Sequence, residues 1–257
     1  MQLLIIIIII IIYRSSIQGA AFKLINEAIS KKDISVWSNT INEGASLLHN
    51  FARKALLQVL PTASNLVRWK RSNDPTCPLC KSGAPQTNKH VVSNCPAPAA
   101  LERYTTRHND VLRLLINWLK SVITEKQKLF VDLPNTHFQS TSELFLHSRP
   151  DIALMDSASI KSLELTVCHE TNLIASKQYK VNKYSNLANS CTALAANKLV
   201  TNFTIEVSTL GFISQISDFL LSAKLPMLPA ALKQDIIHSV LNNTFKIYCN
   251  RNSPVAN

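Results

Sequence analysis

The second half of this chain is organised by two stretches, Arg149-Pro150-Asp151 and Leu163-Glu164-Leu165-Thr166-Val167. Both adjoin or contain a short apolar run, and the turn-like sequence Asp156-Ser157-Ala158-Ser159 separates them, which predicts a β-hairpin. Asp151 precedes the first strand, and Glu164 lies thirteen residues further on. We therefore expect both carboxylates near one end of the hairpin, where they could share a Mg²⁺ ion with water and phosphate oxygens.

Basic residues follow the hairpin on a helix that we predict for residues 173–199. Lys177, Lys180 and Tyr184 repeat at i, i+3 and i+7, so they share one face, and Lys183 lies beside them. Metal held by two carboxylates activates water and stabilises the leaving oxygen in phosphodiester cleavage. The alternative is a pair of surface or strand-end acids next to an ordinary solvated helix face.

A second set of candidate ligands lies in the first half, in Cys77-Pro78-Leu79-Cys80, His90 and Cys95. The spacing C-x2-C-x9-H-x4-C suits tetrahedral zinc. The segment has no hydrophobic core of its own, so metal would have to fold it. The alternative is three free thiols and an unrelated histidine. The other cysteines are scattered through apolar segments, which disfavours disulfides and suits a reducing compartment.

Composition points to an anionic partner. The 257 residues carry a net charge of +11. Residues 1–135 contain 17 basic and 8 acidic side chains, whereas residues 136–257 contain 10 and 8, so the positive excess lies mainly in the first half. Such a bias favours phosphate backbones or anionic membranes. With only four glycines and no GxGxxG or Walker sequence, a glycine-rich phosphate loop is excluded.

The chain starts with Leu-Leu and eight isoleucines at residues 3–12. This run is too short to span a bilayer, which needs about 20 apolar residues. We interpret it as low-complexity sequence or a ragged start, with a signal or anchor segment as the alternative.

Periodicity predicts several further elements. They are two helices within residues 19–59, the second from Val36 to Val59, a helix at 98–123, a strand at Phe203–Val207, and helices at Ile213–Ala223 and Ala230–Tyr248. A strand, strand, helix, strand, helix order in the second half is typical of an α/β domain.

Two basic segments are candidates for nucleic-acid contact. In Leu66-Val67-Arg68-Trp69-Lys70-Arg71, cations surround an aromatic ring, as in sites that combine charge with base stacking; a solvated loop with a core tryptophan is the equal alternative. Arg107-His108-Asn109 could bind phosphate, although such residues more often cap or bridge neighbouring elements.

These motifs together resemble the carboxy-terminal part of non-LTR retrotransposon proteins, which carry a CCHC zinc knuckle and a restriction-like endonuclease after their reverse transcriptase. In the first half the resemblance rests on Leu60-Pro61-Thr62-x-x-Asn65-Leu-x-Arg68-Trp69, the Cys/His set, Leu101-Glu102-Arg103-Tyr104 and Arg107-His108-Asn109. In the second half it rests on Arg149-Pro150-Asp151, Glu164-Leu165-Thr166-Val167, Glu170-Thr171-Asn172 and Lys180-x-x-Lys183-Tyr184. It covers about residues 40–250.

The resemblance implies an α/β fold of the PD-(D/E)XK type after a helical N-terminal part and a zinc knuckle. Asp151 and Glu164 would hold Mg²⁺. The usual lysine two residues after the second acid is replaced by Thr166, so Lys180 or Lys183 would take its place, with Tyr184 as a further catalytic candidate. Cys77, Cys80, His90 and Cys95 would bind zinc. The expected nucleic-acid contacts are Arg68, Lys70, Arg71, Arg107, His108 and Arg149.

The implied regions are a low-complexity start at 1–18, a helical region at 19–76, the zinc knuckle with its following helix at 77–123, and the endonuclease at 124–257. The implied partners are target DNA and element RNA, with nuclear action, no small-molecule cofactor and no membrane contact. The chain contains no Tyr-x-Asp-Asp polymerase motif, so copying is not expected. The competing interpretation is a non-catalytic nucleic-acid-binding zinc module, or a degenerate remnant of the element.

Overall fold

The structure, a computed structural model, describes residues 20–255. The isoleucine run lies outside these residues, and its interpretation stays a prediction. Four helices open the described chain: α1 (Ala20–Ala28), α2 (Lys31–Glu43), α3 (Ser46–Leu56) and α4 (Ala63–Arg68).

The prediction of one helix from Val36 to Val59 was wrong, because the chain breaks at Gly44. Gly44 is extended, Ala45 is also non-helical with ψ 134°, and Gly44 caps α2 by donating its N–H to the carbonyl of Ile41. The two shorter helices then turn separate apolar faces inward, with Ile41 buried on α2 and Phe51 on α3. A glycine between two apolar stripes ends a helix more readily than it continues one.

Helix α5 (Pro98–Val122) confirms the helix predicted at 98–123. Pro98 occupies its first turn, where a missing N–H costs nothing. A single turn of π-helix at His90–Asn94 precedes it. The apolar residues of α5 that are buried from Val111 to Leu119 pack against the sheet and the last helix, and Arg103 and Arg107 are buried as well.

The sheet has four strands in the order β1 (Lys128–Val131), β2 (Ile152–Met155), β3 (Ser159–Cys168) and β4 (Leu199–Ser208). Strand β1 pairs antiparallel with β2, and β2 pairs antiparallel with β3. Strands β3 and β4 are parallel. The predicted hairpin is therefore confirmed as β2–β3. Strand β4 is longer than the predicted Phe203–Val207.

The crossover from β3 to β4 contains a 3₁₀ turn at Glu170–Asn172, then α6 (Leu173–Lys183), then further 3₁₀ turns at Leu187–Ser190 and Ala193–Ala195. The prediction of a helix through residue 199 was wrong beyond Lys183. Tyr184 turns into the protein and is 2% exposed. The hydroxyl of Ser185 donates to the carbonyl of Asn182, a local bond that competes with helix continuation.

Two helices close the chain, α7 (Ser217–Ser222) and α8 (Ala230–Cys249). The helix expected to begin at Ile213 begins at Ser217, because a tight loop at Gly211, with φ +90°, precedes it. That loop passes over Ile237 of α8 so closely that a side chain at position 211 would collide with it. The last helix was predicted correctly to within one residue.

The main buried cluster runs from Ala21 in α1 to Tyr248 in α8, so it draws on both sides of the boundary predicted at residue 124. A smaller cluster on the other face of the sheet includes Phe130, Met155 and Tyr184. The fold is thus a mixed α/β structure with a four-stranded mixed sheet. In the described part of the chain, the helices are all too short or too polar to cross a membrane.

Candidate zinc centre and carboxylate site

Two of the candidate zinc ligands, Cys77 and Cys80, lie on a short loop closed by backbone hydrogen bonds. The N–H of Cys77 donates to the carbonyl of Ala84 at 2.9 Å, and the N–H of Gln86 donates to that of Pro75 at 2.7 Å. Lys81 and Gly83 both have positive φ, which turns the chain back sharply after Cys80. His90 follows on the π turn.

The four ligand atoms of Cys77, Cys80, His90 and Cys95 all lie within 4.8 Å of one another. Zinc–sulfur bonds of about 2.3 Å place tetrahedral ligands about 3.8 Å apart, so one ion fits between them. Burial lowers the pKa of His90 and favours the neutral ligand form. Burial raises the pKa of Cys95 to about 12. A thiolate there thus needs a cation, and the predicted zinc site is confirmed.

Tyr104 on α5 clamps this site, a role that the sequence did not reveal. Its hydroxyl accepts a hydrogen bond from the N–H of Cys95 at 3.2 Å and donates to the carbonyl of Val91 at 2.7 Å. Burial raises the pKa of Tyr104, so the hydroxyl stays neutral and can donate. The clamp fixes the backbone at Val91, next to the ligand His90, and at Cys95, the last ligand.

The second candidate site is the carboxylate pair Asp151 and Glu164 on the β2–β3 hairpin. The register pairs Ile152 with Leu163, so Asp151 stands opposite Glu164 and shares its side of the sheet. The N–H of Asp151 donates to Oε2 of Glu164 at 3.2 Å, and the N–H of Leu165 donates to Oδ2 of Asp151 at 2.8 Å. Each carboxylate is therefore fixed by the other strand.

Helix α6 brings a cation to this pair. Nζ of Lys180 donates to Oε1 of Glu164 and forms an ion pair with it. Lys183 instead donates to the hydroxyl of Tyr184 at 3.1 Å, and that hydroxyl donates to the carbonyl of Arg149 at 3.2 Å. Of the two lysines, Lys180 is the one in contact with a carboxylate.

The electrostatics of the pair favour a cation. Glu164 is 4% exposed. Burial and the nearby charge of Asp151 raise the pKa of Glu164, while Lys180 opposes that shift. Burial and the same two carboxylates raise the pKa of Tyr184, so its hydroxyl stays protonated.

His108 of α5 also reaches the pair, although the sequence suggested contact with nucleic acid. Its Nε2 lies 3.3 Å from the carbonyl oxygen of Leu165 and 3.4 Å from Oδ2 of Asp151. Both are acceptors, so Nε2 carries a proton. Burial acts to lower the pKa of His108, but Asp151 outweighs it and the pKa is raised. No sequence spacing pairs positions 108 and 151; only the packing of α5 on β3 does.

The other predicted nucleic-acid residues divide into two groups. Arg68, Lys70 and Arg71 are exposed, and both guanidinium groups lie about 6 Å from the Trp69 ring, at 6.0 and 5.9 Å. Arg149 is also open to solvent, 3.7 Å from Asp132.

Arg107 requires a correction. It is 1% exposed, and its guanidinium donates to Thr244 of α8 at 3.0 Å. Burial lowers its pKa to about 10. Because phosphate in solution cannot reach it, Arg107 is a structural residue that joins α5 to α8.

Thr166, which stands where the usual motif lysine would be, lies next to Glu206 of β4 in the sheet register. Its hydroxyl is buried and has no hydrogen-bond partner among the described residues. Because a hydroxyl is neutral, Thr166 cannot supply the positive charge of a lysine.

The zinc site lies in a segment that resembles a known family. Residues 19–101 match the family model described as zinc-binding in reverse transcriptase. The four zinc ligands lie inside the matched segment, so the chain carries a zinc-binding module of this reverse-transcriptase-associated type. No curated protein matches the chain. The match ends before Asp151, so the carboxylate site rests on its own geometry.

Proposed function

We propose that this chain is a piece of a non-LTR retrotransposon protein that nicks target DNA in the nucleus as a metal-dependent endonuclease. The observation that carries the proposal is the contact of Lys180 with Glu164 directly opposite Asp151. Two acids and one lysine from a hairpin and the next helix are the groups that a restriction-like nuclease needs.

The residues fit Mg²⁺ by their chemistry. Oδ1 of Asp151 makes no hydrogen bond to any described residue, and the pKa of Glu164 is raised by burial and by a neighbouring negative charge. A divalent cation would relieve that repulsion. When bound, it would supply charge neutralisation and lower the pKa of water for attack on a phosphodiester.

The protein's own groups have separate tasks. Lys180 would stabilise charge that develops on the scissile phosphate. Tyr184 holds the carbonyl of Arg149 and so keeps the segment before Asp151 in place. His108 holds Oδ2 of Asp151 and leaves the other oxygen free.

Nucleic acid would be held mainly by the first half. The exposed Arg68, Lys70 and Arg71 beside Trp69 offer charge and a stacking surface, and Arg149 would contact phosphate next to the carboxylate pair. The zinc module would help to hold target DNA or element RNA. These contacts position the backbone without reading its sequence.

A second function is favoured by one observation. Thr166 stands in place of the motif lysine, and its buried hydroxyl has no hydrogen-bond partner within residues 20–255. In this alternative the chain is a non-catalytic zinc module that binds nucleic acid, and the nuclease scaffold survives as a remnant.

Nicking of supercoiled plasmid by the full chain, with Mg²⁺ or with EDTA, separates the two. The variants are Asp151→Asn and Lys180→Met, and the control is Asp235→Asn, an exposed acid on α8. Nicking that requires Mg²⁺ and is lost in both site variants but kept in the control supports the endonuclease. A folded, zinc-loaded wild type that binds DNA without cutting it refutes catalysis and leaves the binding module.

A further inference from the structure

A cleft lies at the turn end of the β2–β3 hairpin, at the opposite end of β2 from Asp151. It has a volume of about 820 Å³. Its walls are the turn at residues 156–159, the loop at 124–128 that leads into β1, and the end of α7 at 222–224. We call it the turn-end cleft.

The frame of the cleft is held by hydrogen bonds between its walls. The side chain of Gln127 donates to the carbonyl of Ala223 at 3.0 Å, which ties the loop after α5 to the end of α7. The N–H of Leu199 donates to the carbonyl of Ala158 at 3.0 Å, which ties the turn to β4. These bonds connect the walls of the cleft to each other and to the sheet.

Four lysines line this cleft. Lys126, Lys128 and Lys224 are exposed, and none of them pairs with a carboxylate in the described part of the chain. Lys161 is the exception, since its ammonium lies 3.0 Å from Oδ2 of Asp156. A fifth ammonium, that of Lys198, donates to the carbonyls of Asp156 and Ser157 at 2.9 and 2.7 Å.

The only acid in the cleft lining, Asp156, is already satisfied. The N–H groups of Ala158 and Ser159 donate to its Oδ1 at 2.9 and 2.7 Å. Burial acts to raise the pKa of Asp156, but these bonds and Lys161 hold it well below the usual range. Asp156 thus offsets one lysine, and the lining offers no second acid for Lys126, Lys128 or Lys224.

The lining also indicates the kind of ligand. Pockets for small organic ligands are lined mainly by hydrophobic and aromatic side chains. No aromatic residue lines this cleft, and Met155, Ala158 and Ala223 are its only apolar members. An open cleft that carries four lysine side chains and no aromatic residue matches a phosphate chain that passes across it.

We propose that the turn-end cleft binds the phosphate backbone of nucleic acid, as a contact separate from the carboxylate pair. This cleft proposal rests on the proposed function only because it takes nucleic acid as the partner. Asp151 and Asp156 are five residues apart, which at about 3.3 Å per residue of strand is roughly 16 Å. In duplex DNA each strand advances about 3.4 Å along the helix axis per phosphate, so about five base-pair steps cover that distance.

The test compares two triple variants of the full chain with equal charge. The cleft variant carries Lys126→Gln, Lys128→Gln and Lys224→Gln. The control carries Lys31→Gln, Lys54→Gln and Lys246→Gln, which are exposed lysines outside the cleft. Fluorescence anisotropy follows binding to a 25-mer DNA duplex and to a single-stranded RNA of the same length at several NaCl concentrations.

If each cleft lysine neutralises one phosphate, the slope of log K against log[NaCl] falls in magnitude by about 2.7 on duplex DNA and about 2.1 on single-stranded RNA. The control slope stays near that of the wild type. Loss on only one of the two nucleic acids identifies the one that occupies the cleft. Equal slopes for the cleft variant and the wild type, equal losses in both variants, or a wild type that binds neither nucleic acid would overturn the proposal.

The plasmid assay keeps this result apart from the proposed nuclease. If the cleft variant has a smaller salt slope than the wild type and the wild type does not nick DNA, the cleft proposal is supported and the endonuclease is refuted. Mg²⁺-dependent nicking with an unchanged slope in the cleft variant refutes the cleft alone.

Discussion

Replacing Tyr104 by phenylalanine should weaken zinc binding, although Tyr104 is not a ligand. The hydroxyl accepts from the N–H of Cys95 at 3.2 Å and donates to the carbonyl of Val91 at 2.7 Å. Cys95 and Val91 are both buried, at 2% and 4% exposure. Removing the hydroxyl leaves a buried donor and a buried acceptor without this partner, while the ring and its packing remain.

A buried polar group that loses its partner costs about 1–3 kcal/mol. Because metal binding and folding of such a loop are coupled, that cost appears in the zinc dissociation constant. At about 1.4 kcal/mol for each factor of ten, we expect Tyr104→Phe to bind zinc about 5- to 140-fold more weakly.

The assay is competition for zinc against a chromophoric chelator at constant pH. Tyr179→Phe is the matched control, because Tyr179 on α6 is 66% exposed and outside the zinc site. Urea denaturation at saturating zinc checks that both variants fold. A folded Tyr104→Phe protein with the zinc affinity of the wild type would refute the reasoning, since the clamp would then contribute nothing to the site.

Three further predictions follow from the same structure. The folded pKa of His108 is raised. Its stabilising contact with Asp151 is therefore fully present below the unfolded pKa of about 6.5 and is lost as pH rises through the folded value. His108→Gln should lower the urea midpoint more at pH 5.5 than at pH 9, and an equal effect at both pH values would contradict this. Arg107→Ala should destabilise the fold by about 2–4 kcal/mol in urea denaturation because it empties a buried site. Arg68→Ala should instead leave stability within about 0.5 kcal/mol and reduce the magnitude of the DNA salt slope by about 0.9; the reverse pattern in the two arginines would refute their assignment. Removal of zinc by a chelator should expose the 77–95 segment to proteases while the sheet stays protected, and cleavage spread over the whole chain would show that zinc supports more than its own loop.

Much of the zinc site could be predicted from sequence because its information is local. The C-x2-C-x9-H-x4-C spacing lies within residues 77–95, and one ion demands that all four ligands converge. The clamp by Tyr104 was not predictable in this way. A tyrosine in a helical stripe has the same pattern whether its hydroxyl meets solvent or a backbone group.

Helix ends show the same limit. The predicted helices at 36–59 and 173–199 had good periodicity, but Gly44 divided the first and Tyr184 ended the second by turning into the smaller core. Periodicity reports which residues prefer an apolar side. It does not report where tertiary packing ends the helix.

By itself the sequence determined the zinc ligands, the β2–β3 hairpin with Asp151 opposite Glu164, the long α5 helix and the basic character of the first half. The first three depend on residues close together in the chain, and the last follows from composition alone. Only the tertiary structure decided that Lys180 reaches Glu164, that His108 reaches Asp151 and that Arg107 is buried against Thr244. Those contacts depend on how α5, α6 and α8 pack around one sheet, and the free energy of that packing is shared by residues far apart in the chain.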